Sequence, residues 1–248
     1  MNDLERRKFR LHADTDDYHR RIEQAADWTH YAFRVFENPC LNYSGGKDSL
    51  VLLHLTTQRC GYDDVDIYHF DNGLLSVPGA GDFVRESVDR LGGRLFERTS
   101  AAANSAEMVI ENGHGYNGFW GHYHDLAERH NWDARLLGIR AAESPQRRDR
   151  FDTDGTAPIN WDEERTAVAP IHQLTTRDVW AYIIDQGLEY HEIYDEQGAL
   201  YDSMEHPSNR LVTLYDREFK STGSLELSQF LFPSETNGLK QIEQDHDD

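Results

Sequence analysis

The sequence predicts an α/β fold: an open, mostly parallel twisted sheet with helices on both faces, preceded by an N-terminal helix and followed by a helical C-terminal part. A short extended run, Pro39-Cys40-Leu41-Asn42-Tyr43, leads through the glycine loop Ser44-Gly45-Gly46-Lys47-Asp48-Ser49 into an apolar helical stretch, Leu50-Val51-Leu52-Leu53-His54-Leu55. Two further strand-like runs follow, separated by a helical segment, and a fourth comes later. Strands that alternate with helices of this length pair in parallel through right-handed crossovers. A chain of 248 residues can bury a substantial core.

Taken in order, Tyr18, Ile22, Ala25, Ala26, Trp28, Tyr31, Ala32, Phe33 and Phe36 recur among charged residues, which predicts an amphipathic helix over 17–36. Pro39 ends it. The helix after the glycine loop runs to about Arg59 and stops at Gly61. Val65 to Phe70 has the β-branched and aromatic bias of a strand and ends at the turn Asp71-Asn72-Gly73. A helix from Gly81 to Leu91 leads through Gly92-Gly93 to a third strand, Arg94 to Arg98. Glycines among aromatics make 101–121 a loop-rich segment around a short helix, and His122 to His130 is helical. Ala134 to Arg140 is the fourth strand, and the polar, unpatterned residues 145–165 form a flexible loop. Thr175 and Asp178 make a capping box, so a helix runs from there through Trp180 and Ile183 to Gly187. Residues 1–232 are expected as one domain, and the acidic 233–248 as a solvated tail.

The formal charge of −20 opposes non-specific attraction to nucleic acid or to anionic membrane. Lys8, Lys47, Lys220 and Lys240 are the only lysines, so 21 of the 25 basic residues are Arg. Many carboxylates with few lysines suit a salt-rich cytoplasm; an ordinary acidic protein has the same composition. Cys40 and Cys60 are too few for a disulfide framework, an all-cysteine iron–sulfur cluster or a zinc site. The charged N-terminus lacks a signal-peptide core and no apolar run is long enough to span a membrane. The expectation is a soluble cytoplasmic protein with no membrane partner, compatible with a homo-oligomer.

The chemistry concentrates at strand ends. Gly45 and Gly46 let main-chain N–H groups approach a ligand, and the following helix adds unpaired donors and the positive end of its dipole. Lys47 supplies a cation, Ser44 and Ser49 supply hydroxyl donors, and the whole loop suits phosphate. The ordinary P-loop is excluded, because position 41 is Leu rather than Gly and position 48 is Asp rather than Ser or Thr. Asp71 closes the neighbouring strand, where it can contact a nucleotide; on its own, Asp71-Asn72-Gly73 is also an ordinary turn. Gly138-Ile139-Arg140 opens a stretch with Arg147, Arg148 and Arg150, whose guanidinium forks suit phosphate or sulfate, a solvated basic loop being the alternative. Magnesium accompanying nucleotide phosphates could meet Asp48 or Asp71. His114, His122, His124 and His130 make a poor zinc set, since His-x-His diverges on a helix and no cysteine is near. Tyr116, Phe119, Trp120 and Tyr123 read as core rather than as a base-stacking platform.

Ser-Gly-Gly-Lys-Asp-Ser resembles the signature of the PP-loop ATP pyrophosphatases, which split ATP between its α- and β-phosphates. With the Asp71 turn, Gly138 to Arg148, Ala169-Pro170-Ile171, Thr176-x-Asp178-Val179-Trp180-Ala181-Tyr182-Ile183 and Leu188 to Asp195, residues 38–200 resemble the phosphoadenosine-phosphosulfate (PAPS) reductase-like branch of that superfamily. The resemblance implies a sheet of about five strands at a nucleotide site, with ATP and Mg2+ as cofactors. It implies nucleotide contacts from Ser44, Gly45, Gly46, Lys47, Asp48, Ser49, Asp71, Gly138 and Arg140, and catalytic roles for Lys47, Asp48, Arg140, Arg147 and Arg148. One departure counts against reduction: reductases of this branch carry a nucleophilic cysteine in a C-terminal Glu-Cys-Gly-Leu-His-type motif, and no cysteine follows Cys60. The resemblance then implies an ATP pyrophosphatase that adenylylates an acceptor for sulfur transfer, closest in character to the compact ATP-using component of DNA phosphorothioation systems. It would work with a cysteine desulfurase as sulfur donor and with DNA or a DNA-handling protein as acceptor, with Cys60 or Cys40 as local carriers. Two alternatives stay open: a PAPS reductase using a thiol supplied in trans, and a non-catalytic nucleotide-sensing subunit.

Overall fold

The computed structural model describes residues 1–71, 76–99, 119–144, 147–149, 151, 159–161, 166–206, 209 and 211. At the centre of its sheet lies Pro39–Asn42 (β1), paired in parallel with Asp66–Asp71 (β2) on one side and Ala134–Leu137 (β4) on the other. Arg94–Thr99 (β3) extends the sheet in parallel beyond β2, and Thr166–Val168 (β6) extends it beyond β4. Ile159–Trp161 (β5) pairs antiparallel with β6 at the edge, completing the order β3-β2-β1-β4-β6-β5. Five parallel strands thus agree with the expected sheet. The antiparallel β5 corrects the reading of 145–165 as loop throughout.

Strand periodicity sorts the side chains. Leu41, Ile67, Leu136 and Val168, in one row across the sheet, join a core built with Asp3–Ala13 (α1), Asp16–Val35 (α2), Lys47–His54 (α3), Ala80–Leu91 (α4), Thr176–Asp185 (α6) and Ile193–Leu200 (α7). Cys40 and Tyr68 face the other way, onto Tyr123, Leu126 and Ala127 of Phe119–His130 (α5) and onto Trp132. Helices therefore cover both faces. In α3, Leu50, Val51, Leu52 and Leu53 are all 0 % exposed, and each such side chain contributes about 1.5–3 kcal/mol of burial. That anchoring holds the glycine loop against β1. No helix among the described residues is long and apolar enough to cross a membrane.

The N-terminal region holds two helices where the sequence predicts one. Asn2 and Glu5 form a reciprocal capping box on α1, and Thr15 caps α2. The helix after the loop changes to a π-helical turn over Leu55–Arg59 before Gly61. The fourth strand ends at Leu137 rather than Arg140. Residues 101–118, most of the expected flexible loop (145–146, 150, 152–158 and 162–165) and the 233–248 tail lie outside the described residues.

The buried carboxylate of Asp178 ties α1, α2 and α6 together. It accepts from Arg21 Nε and Nη2 at 2.8 Å each and from Thr175 N and Oγ1 at 2.7 Å each, with His12 Nε2 at 2.7 Å. Burial pushes this carboxyl up, but the bonds from Arg21, His12 and Thr175 outweigh it and hold it below the usual range. Burial also lowers His54, His69 and His172. For all four groups the folded value lies below the unfolded one, so stability is greatest at neutral pH and is lost on acidification. The histidine share should disappear as pH falls below about 6.5, and the Asp178 share below about 4. Thermal melts across pH 7 to 3 should show both declines; a flat melting temperature from pH 7 to 5 would mean that these imidazoles protonate freely in the fold.

Candidate nucleotide-binding site

The carboxyl end of β1 opens directly into the glycine loop. Tyr43 still pairs with Tyr68 O at 2.9 Å, and Gly45 then turns with φ +76°, a conformation that side-chain-bearing residues seldom adopt. Gly46 is the N-cap of α3 and gives it no side-chain cap. The two serine hydroxyls turn inward. Ser49 Oγ donates to Gly46 O at 3.0 Å and accepts from Ser44 N at 3.3 Å, the two hydroxyls lie 3.0 Å apart, and Ser44 Oγ accepts from Gly46 N at 3.3 Å. Ser44 and Ser49, expected as donors to phosphate, brace the loop from within.

From the head of α3 runs a line of alternating charges. Lys47 Nζ lies 3.4 Å from Asp48 Oδ2, and Asp48 Oδ1 accepts from Arg140 Nε at 2.7 Å. Arg140 is 2 % exposed and donates from Nη1 to Leu174 O at 3.3 Å and to Thr176 Oγ1 at 3.4 Å. Its backbone N–H bonds Glu143 Oε2 at 3.0 Å, and Glu143 in turn ion-pairs with Arg147. Burial raises the Asp48 carboxyl, yet Lys47 and Arg140 beside it outweigh that and keep it below the usual range, ionised.

Gly138 makes the line possible. A Cβ there would stand 2.8 Å from Ser49 Cα and 2.9 Å from Ser49 N, so only glycine lets the end of β4 lie on the first turn of α3. Gly138, expected at the nucleotide, packs its backbone against Ser49 at the first turn of α3.

The predicted residues thus separate into groups. Gly45, Gly46 and Lys47 form the loop and the helix head, while Asp48 and Arg140 are engaged with each other behind it. Asp48, held by two cations, does not fit a magnesium ligand. Asp71, half-buried at the end of β2, accepts from Ser76 Oγ at 2.6 Å. Arg147 ion-pairs with Glu143, and Arg148 is exposed. Tyr194 and Asn209 were not foreseen, although Tyr194 lies within the Leu188 to Asp195 run. The Tyr194 hydroxyl accepts from Lys47 N at 2.8 Å, and Asn209 O accepts from Lys47 Nζ at 3.1 Å.

Among the described residues no group of three or more His, Cys, Asp or Glu could hold a metal ion. Tyr123 is buried as expected, whereas Trp120 is 43 % exposed. His114 and Tyr116 lie outside the described residues. Neither thiol suits a sulfur carrier at the loop. Cys40 is fully buried, with its thiol pushed up by burial. Burial pushes the Cys60 thiol up to about 11. Cys60 also stands 13 residues beyond Lys47 along a helix, which at 1.5 Å per residue is about 20 Å.

Residues 38–229 match the family described as the phosphoadenosine phosphosulfate reductase domain. A curated relative from Mycobacterium sp. (strain KMS), sulfate adenylyltransferase subunit 2, is 31 % identical over 185 residues, covering 64 % of this chain and 58 % of its own length. The protein of the same name from Erwinia tasmaniensis is 23 % identical over 192 residues, with 64 % and 61 % covered. The chain therefore spans about three-fifths of these relatives. Among solved structures, PAPS reductase from Candida auris in a phosphate complex superposes with a TM-score of 0.54 at 18 % identity, over 70 % of this chain and 85 % of that one. The FMN adenylyltransferase of Candida glabrata, with FMN and the ATP analogue AMPCPP, gives 0.55 at 16 % identity, over 73 % and 61 %.

Proposed function

The chain belongs to the phosphoadenosine phosphosulfate reductase domain family of the PP-loop superfamily, and from that membership we propose that it is an enzyme of nucleotide-linked sulfur metabolism that transfers AMP from ATP to an oxyanion. An acceptor oxygen attacks the α-phosphorus, the bond from that phosphorus to the α,β-bridging oxygen breaks, and pyrophosphate leaves with the bonding electrons. The product is an adenylylated acceptor, from which a second nucleophile can then displace AMP as the leaving group.

The observation that carries this reading is the braced glycine loop at the head of α3, with Lys47 seated on the part-buried Asp48–Arg140 pair. Loop amides and the helix N-terminus would hold the β- and γ-phosphates, and Lys47 would offset charge moving onto the leaving pyrophosphate. Asp48 and Arg140 fix where that cation stands. Magnesium would arrive with the ATP phosphates, and Asp71, at the end of β2, is the carboxylate we propose to meet it.

The likeness to proteins named sulfate adenylyltransferase subunit 2 favours sulfate as acceptor. A second reading keeps the chemistry and takes a DNA backbone phosphate as acceptor, with sulfur from a partner cysteine desulfurase. In this reading neither Cys40 nor Cys60 relays the sulfur, and the desulfurase delivers it directly to the activated phosphate. Reduction of PAPS would need a thiol supplied in trans, since Cys40 is buried and Cys60 lies about 20 Å from Lys47.

Purified protein incubated with magnesium and α- and γ-labelled ATP should yield AMP or an AMP adduct together with pyrophosphate. Separate additions of sulfate and of duplex DNA with a desulfurase should identify the acceptor by which one accelerates the reaction. ADP and inorganic phosphate as the only products would overturn the assignment.

A further inference from the structure

The phosphate loop is already in contact with another part of the same chain. Lys47 N–H, the first donor of α3 and of the kind a helix head offers an anion, is taken by the Tyr194 hydroxyl. Lys47 Nζ is taken by the main-chain carbonyl of Asn209 and lies 5.4 Å above the Tyr194 ring centroid. Leu211 faces both loop glycines: a Cβ on Gly45 would lie 3.3 Å from its Cδ2, and one on Gly46 would lie 4.0 Å from its Cβ. The same Tyr194 oxygen accepts from Leu211 N at 3.1 Å, so a single hydroxyl joins the loop to this segment.

The contact is built from anchored parts. Tyr194 packs edge-on to Trp180 at 5.4 Å, and Trp180 Nε1 donates to Met204 O at 2.8 Å. Asn209 Nδ2 donates to Met204 O at 3.1 Å and lies 3.4 Å from Tyr194 O. Against this, Asn209 Oδ1 is buried with no hydrogen-bond partner among the described residues, an unfavourable element that release would relieve.

We infer that Tyr194, Asn209 and Leu211 form an autoinhibitory latch that competes with nucleotide phosphate for the donors of the glycine loop and of Lys47. This rests on the nucleotide reading of the loop above. An incoming phosphate needs the Lys47 amide and ammonium that the latch holds, and it needs the face of Gly45 and Gly46 that Leu211 covers. Binding and latching are then alternatives, and the apparent affinity for nucleotide is lowered by the latched fraction.

The test uses the full chain with AMPCPP and magnesium. Tyr194→Phe removes the hydroxyl and keeps the ring; Leu211→Ala uncovers the glycines and serves if the first variant loosens the core, as melts would reveal. Each variant should bind AMPCPP about fivefold or more tightly than the wild type. Hydrogen exchange at residues 204–211 of the wild type should rise when AMPCPP is added. Equal or weaker binding by both variants, with exchange at 204–211 unchanged or slowed, would overturn the latch and leave the nucleotide site standing. If neither wild type nor variants bind AMPCPP, the nucleotide reading fails and the latch falls with it; binding by the variants alone supports both.

Discussion

Arg140→Met is expected to destabilise the fold by about 3–5 kcal/mol and to abolish turnover at the same time. The guanidinium is 2 % exposed, and it is the nearer of the two cations on the Asp48 carboxylate, at 2.7 Å against 3.4 Å for Lys47. Removing it leaves the part-buried Asp48 charge half-compensated and deprives Leu174 O and Thr176 Oγ1 of a donor. Lys should rescue poorly, because a point charge cannot serve these acceptors from a planar fork. Adding Asp48→Asn should recover part of the lost stability, since the unpaired charge disappears with it, and the two changes should be clearly non-additive. Denaturant unfolding of the single and double variants measures this. Arg148→Ala, at an exposed position, should leave the midpoint unchanged. An unaltered midpoint for Arg140→Met would mean that the pair is not formed in solution.

Much of this architecture was legible in the chain because its signals are local. A strand, a glycine pair and an apolar helix in succession can be arranged in few ways, and the Thr175–Asp178 cap marked the start of α6 where the structure has it. α1 was missed although Asn2-x-x-Glu5 is a capping signature, because its exposed Leu4 and Leu11 blur the helical stripe. β5 has three residues, too few for periodicity to register.

The site was less legible than the fold. Arg140, Arg147 and Arg148 are chemically alike in sequence. Gly138, by bringing backbone against Ser49, is what sends the first of them inward to Asp48 and leaves Arg148 outside. Serine hydroxyls beside a phosphate loop read as ligands, and no local pattern tells that they also bond to each other. Tyr194 meets Lys47 across 147 residues of chain, a contact that no local pattern encodes.

Lys47→Ala should lower turnover by about 10²- to 10³-fold, the usual cost of deleting one preorganised group that stabilises developing charge. Its effect on stability should be well below that of Arg140→Met, because Asp48 keeps its closer partner. The two variants therefore separate roles along one charged line: the arginine holds the site together and the lysine acts on the phosphates. Lys47→Arg should not restore activity. The ammonium sits among Asn209 O at 3.1 Å, Asp48 Oδ2 at 3.4 Å and the Tyr194 ring, and the larger planar guanidinium must displace one of them. The loss should appear mainly in kcat if Lys47 meets charge that develops on the leaving pyrophosphate, and mainly in KM if it only binds the ground-state phosphates. Steady-state ATP cleavage at several ATP concentrations, followed by pyrophosphate release, distinguishes the two. Full turnover in Lys47→Ala would remove this side chain from the reaction and leave the loop amides as the phosphate ligands.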